Sequence, residues 1–205
     1  MRPKKLLNID ANPKTVKGQK KGYLTAVLYL APADLSGYEV CPMASAGCRK
    51  ACLNTAGRAG IIKKGESTNA IQRSRIAKTQ WYFEDRLGFM AQLEKEIAAF
   101  VRKADRIGLT PCVRLNGTSD IPWERVRTAS GRAHLMEAFS QVQFYDYTKR
   151  HNRRAMGEWP SNYHLTYSLC EDNDKRALLA LENGFNVSAV FRKGLPEKYF
   201  GRRVV

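Results

Sequence analysis

Short runs of apolar and β-branched residues alternate along the chain with longer stretches whose apolar positions follow a helical period. The first run, Tyr23 to Leu30, is nearly continuous, and its length and the Pro32 just beyond it predict a buried strand. Ser67, Thr68 and Asn69 offer helix starts, and one long helix is expected from there to about Arg106. Phe83, Leu87, Met90, Ile97 and Phe100 mark its apolar stripe, opposite Glu84, Asp85, Glu94, Lys95, Glu96 and Lys103. Cys112–Asn116 then reads as a strand, His134–Ser140 as a weaker helix and Val142–Thr148 as a strand. Tyr163–Cys170 alternates clearly, Asn173–Asn183 is helical with Gly184 at its end, and Phe185–Phe191 is the last strand.

Strands separated by helical segments imply parallel pairing in α/β layers. A closed eight-stranded barrel usually takes about 250 residues. With five to six strands, this chain is expected to form a partial TIM-like (βα) barrel or an open parallel sheet. Residues 1–22 hold six lysines and are broken by Pro3, Pro13 and Gly18, so they read as a basic N-terminal arm before a single domain over 23–205. No apolar run reaches the roughly 20 residues of a membrane helix, so no membrane partner is expected. The N-terminus lacks a secretory pattern, which places the chain in a cytoplasm where thiols stay reduced.

Charge changes the picture. The chain has 35 Lys and Arg against 19 Asp and Glu, a net charge of +16. A polyanionic partner, nucleic acid, is the expected reason, with a merely solvated basic surface as the alternative. The densest basic run supplies Lys149, Arg150, Arg153 and Arg154 as candidate nucleic-acid contacts.

The candidate chemistry lies in CPMASAGCRKACLNTAG, residues 41–57, just past the first strand. Cys41, Cys48 and Cys52 are spaced C-x6-C-x3-C, and Cys48 and Cys52, four apart, would share a face of one helical turn. Three converging thiols point to metal or iron–sulfur ligation. The expected cofactor is a 4Fe–4S cluster, with zinc as the alternative; buried structural cysteines and disulfides fit less well. Strand parity puts Cys170 on the lumen face at the same end, a candidate fourth ligand. The expectation is nonetheless an open iron able to hold a small molecule, with Cys112 structural. Polar residues at the other strand ends form a candidate pocket: Arg114, Asn116, Thr118, Ser119, Asp120, Asp146, Thr148, Lys149 and Ser168.

The cysteine segment, residues 72–83 (QRSRIAKTQWYF), residues 114–124 (RLNGTSDIPWE) and residues 144–150 (FYDYTKR) together resemble the phage-encoded gene product eighty-eight family. The resemblance covers roughly Tyr23 to Arg203 and implies a phage protein in the host cytoplasm. Members of that family run on past the GRRVV end, so the C-terminus here is expected to be short. A more distant likeness is to radical S-adenosylmethionine enzymes, which imply a partial barrel, a 4Fe–4S cluster on three cysteines and S-adenosylmethionine on the open iron. Their usual C-x3-C-x2-C spacing is not the one found here.

Overall fold

The computed structural model describes residues 2–10, 12–154 and 158–205. An edge strand, β1 (Leu7–Ile9), pairs antiparallel with β2 (Tyr23–Leu28). Four further strands then join in chain order, all parallel: β3 (Thr110–Arg114), β4 (Gln143–Thr148), β5 (Tyr163–Ser168) and β6 (Asn186–Ser188). The order never reverses, so the sheet is open and not a closed barrel. A hairpin of β7 (Lys198–Tyr199) and β8 (Arg202–Arg203) stands apart from it.

The helices are α1 (Pro13–Gln19), α2 (Ala46–Lys50), α3 (Ala70–Glu84), α4 (Arg86–Arg106), α5 (Leu135–Ala138) and α6 (Asp174–Glu182). Right-handed crossovers between parallel strands taken in order carry their helices to one face. There Leu24, Ala26 and Leu28 of β2, Val113 of β3, Phe144 of β4 and Tyr163, Leu165 and Tyr167 of β5 form one core with α4, α5 and α6. From α4 the core takes Phe89, Met90, Leu93, Ile97, Phe100, Val101 and Ala104. The larger of these side chains stabilise the fold by about 1.5–3 kcal/mol each when fully buried. Among the described residues no helix is long and apolar enough to cross a membrane.

Two expectations need correction. The N-terminal segment is not an arm: it contains β1 and α1, and Leu6 and Leu7 are buried in the core. The Glu96 carboxylate on α4 fastens it, accepting the Leu6 N–H at 2.8 Å and the Leu7 N–H at 2.8 Å. The long helix is two. Asp85 leaves helical geometry (φ −142°, ψ 75°) and caps α4 by accepting the Gly88 N–H at 2.9 Å. A Cβ on Gly88 would come within 2.2 Å of that carboxylate, so any larger residue there would have to push the capping side chain aside. The restart shifts the helical phase and leaves Leu87 68% exposed, while Phe89 and Leu93 are buried. Asp146 and Thr148 share the buried face of Phe144.

Candidate metal centre

Beyond β2 the chain loops out and is pulled back. Ala33 adopts the left-handed conformation (φ 48°), which lets the Val40 N–H reach the Ala33 carbonyl at 3.0 Å. Val40 is buried, and its own carbonyl accepts the Asp120 N–H at 2.8 Å. Cys41 is thereby held against the loop at the carboxyl end of β3, its Sγ donating to the Thr118 carbonyl at 3.7 Å. Ser45 caps α2 by accepting the Cys48 N–H at 3.1 Å. The Gly47 N–H donates to Glu171 Oε1 at 2.7 Å, which docks α2 on the loop after β5. A Cβ on Gly47 would sit 2.5 Å from that oxygen.

α2 ends at Lys50, so Cys52 is extended (φ −60°, ψ 137°) and does not share a helical face with Cys48. Its Sγ accepts the Asn54 N–H at 3.5 Å. The far side of the loop hangs from α3. Asn69 caps that helix and also donates to the Ala59 carbonyl at 2.9 Å and the Ile61 carbonyl at 3.0 Å. Gln72 Nε2 adds a bond to the Ala59 carbonyl at 2.7 Å.

Cys52 lies within electrostatic reach of both Cys41 and Cys48. Burial pushes the Cys41 thiol up to about 12, and Asp120, Cys52 and Glu39 push the same way. Burial, and then Cys48, raise Cys52. The two thiols are protonated as they stand, and a bound metal would displace those protons. Among the described residues no three His, Cys, Asp or Glu side chains stand close enough to hold a metal ion. Ligation by all three cysteines therefore requires the 41–52 loop to tighten around the ligand. Cys170 lies beside Ser45 on the β5 side, with its Sγ 3.3 Å from Asp172 Oδ1. Cys112 is buried on β3, its thiol pushed up to about 11 by burial.

The inward stripe of α3 is polar: Gln72, Arg75, Lys78 and Thr79 are buried with Tyr82. None of the four was among the candidate site residues. Their spacing was legible, since residues 72, 75, 79 and 82 recur at helical period, but a search for apolar stripes passes over them. Arg75 is 9% exposed. Its Nη1 donates to the Asn54 carbonyl at 3.1 Å and Asn54 Oδ1 at 2.8 Å, and its guanidinium lies 4.9 Å from the Tyr29 ring centre. Its Nε has no partner, and no carboxylate of the described residues pairs with it. Burial lowers its pKa, while Tyr29 and Cys52 act against that. Buried guanidinium groups are ordinarily paired; this one faces Cys52.

The polar residues at the strand ends do not surround an empty pocket; most bond to each other. Asn116 accepts from Ser119 Oγ at 2.9 Å, the Ile121 N–H at 2.9 Å and Trp123 Nε1 at 3.1 Å, and donates its own N–H to Asp146 Oδ1 at 2.7 Å. Asp120 accepts from Thr148 Oγ1 at 2.7 Å and the Lys149 N–H at 2.9 Å. Thr118 Oγ1 donates to the Leu30 carbonyl at 2.5 Å. Arg114 Nε is 4.0 Å from Asp146, and Lys149 Nζ is 3.1 Å from Ser168 Oγ.

The expected nucleic-acid run needs correction at Arg153, which is 3% exposed. It donates to Glu124 through Nε (3.0 Å) and Nη2, to Asp120 at 3.4 Å and to the Tyr163 hydroxyl at 3.0 Å. Against the cost of burial, these partners hold its pKa above the ordinary range. Arg150 is half-buried with an unpartnered Nε. Arg154 donates to the Gly184 carbonyl and stacks near Trp159 and Phe185.

A sequence model of the family described as Gene product 88 matches residues 5–203. No curated protein matches the chain. No solved structure matches it either, and the likeness to radical S-adenosylmethionine enzymes finds no support.

Proposed function

The chain belongs to the gene product 88 family, and from that premise we propose that it is a phage iron–sulfur protein, binding a 4Fe–4S cluster through Cys41, Cys48 and Cys52 and working on or beside nucleic acid in the host cytoplasm. One observation carries the cluster reading: three thiols sit on one loop beyond the carboxyl ends of parallel strands, and one of them, Cys52, faces a buried guanidinium that no carboxylate of the described residues pairs with. Thiolate ligation brings negative charge to the place where Arg75 lacks it, and offers its orphaned Nε a sulfur acceptor. A cluster of this type supplies one-electron chemistry, and ligation by three cysteines leaves one iron open to a small molecule.

The chain's own residues set the boundaries of the site. Thr118 and the Glu171–Gly47 bond fix the two sides of the loop, while Arg75, Gln72 and Asn69 fix its floor. Cys170 stands beside the loop with its thiol turned to Asp172, consistent with a fourth position not taken by cysteine. The nucleic-acid part of the reading rests on the +16 charge.

The test is protein produced with ample iron and purified without oxygen, then analysed for iron, sulfide and zinc. A brown protein absorbing broadly near about 400 nm, with iron and sulfide in equal amounts, is expected. Colourless protein with one zinc per chain would overturn the cluster in favour of a zinc-stabilised module.

A further inference from the structure

Parallel sheets are ordinarily covered on both faces. Here the connecting helices that enter the core lie on one face, while α1 packs against β2 on the Thr25 side. Beyond Cys112, which is buried, that second face is half-buried to exposed from Arg114 to Ser188, with Tyr147, His164 and Asn186 exposed. Register aligns Tyr145 with His164, and Tyr147 with Thr166 and, across it, Asn186. Arg114 continues the first row, one residue past the paired positions of β3 and β4. Its guanidinium lies 4.9 Å from the Tyr147 ring centre, and that ring is still 40% exposed. His164 and Asn186 are exposed, and their side-chain nitrogens are 3.4 Å apart. Lys149 stands at the carboxyl end of β4.

By strand parity, the residues of β3–β6 on this face are 110, 112 and 114, then 143, 145 and 147, then 164, 166 and 168, then 186 and 188. None is acidic. An open row of tyrosines flanked by cations, with no carboxylate among them, on a chain of net charge +16, complements a polyanion that carries exposed aromatic rings. Duplex nucleic acid keeps its bases stacked inside; a single strand offers them.

We propose that this open sheet face grips single-stranded nucleic acid. Bases stack on Tyr147 and Tyr145, Arg114 and Lys149 meet phosphates, and His164 and Asn186 hydrogen-bond base edges. The inference deepens the nucleic-acid part of the reading above and is independent of the cluster. It moves the contact surface from the 149–154 run, where Arg153 is buried, to the sheet.

The experiment is fluorescence anisotropy of the full chain with labelled oligothymidine, oligouridine and a duplex of equal length, across a salt series. The wild type should bind a single strand more tightly than the duplex. Tyr147→Ala, at a site exposed enough to fold normally, should weaken single-strand binding by about 5- to 150-fold, the range for loss of one stacked base. Arg114→Gln should flatten the salt dependence by about one phosphate contact. Lys103→Gln, on the exposed side of α4, should change affinity little. Wild-type binding that Tyr147→Ala and Arg114→Gln leave intact would overturn the assignment to this face while leaving a nucleic-acid role elsewhere. Absence of binding to any of the three probes at low salt would overturn both.

Discussion

Arg153 gives the sharpest separation between a surface basic run and a structural cation. Its side chain is 2% exposed, Glu124's is 8% and Asp120's is 10%. Replacing Arg153 by Met leaves the Glu124 carboxylate buried with its cation gone; Asp120 keeps its bonds from Thr148 and Lys149. Removing one partner of a buried ion pair costs about 3–5 kcal/mol, a large part of the roughly 5–15 kcal/mol that holds a domain folded. With a urea slope of about 2 kcal/mol per molar, the unfolding midpoint should fall by about 2 M. The measurement is equilibrium urea unfolding followed by fluorescence and circular dichroism, with coincident transitions. Adding Glu124→Leu should restore much of the loss, because the pair is then exchanged for apolar groups. A loss below about 1 kcal/mol, the range of exposed pairs, would refute the buried network and return Arg153 to the surface.

Cys41→Ala, Cys48→Ala and Cys52→Ala should each bleach the anaerobically purified protein, whereas Cys112→Ala and Cys170→Ala should keep full iron and sulfide; loss of iron in Cys170→Ala would show a closed cluster. Arg75→Met should leave the metal-free fold no less stable in urea, since an unpaired buried cation is removed, yet lower the iron retained after gel filtration; equal destabilisation of both forms would confine Arg75 to packing on Asn54. Burial pushes the Asp146 carboxyl up to about 6 from its ordinary 3.8. A folded pKa above the unfolded one means that its contribution is full below about 3.8 and is lost as pH rises through about 6. Asp146→Asn should therefore remove a decline in stability across that window, visible as the difference between the two proteins' pH–melting curves; parallel curves would count against it.

Periodicity in the sequence was enough for the strands at 23, 110, 143 and 163, for α6 and for the parallel order, because each depends on side chains two to four residues apart. Residues 41–52 announced thiol chemistry for the same local reason. What escaped was settled by partners distant in sequence. β1 lies in a lysine-rich stretch and exists because β2 pairs with it and Glu96, about ninety residues on, accepts its N–H groups. The halves of the long helix separate at Asp85, where a side chain competes with the backbone for the Gly88 N–H. Cys52 left the helical face of Cys48 because α2 stops at Lys50 and Asn54 holds the next turn. Arg75 and Arg153 look alike in the sequence, each a cation among cations. Tertiary structure buried both, giving Arg153 two carboxylates from other loops and Arg75 none among the described residues. Burial and counter-ion are properties of the assembled chain, since a charge gains or loses its partner only when distant segments meet and water is excluded between them.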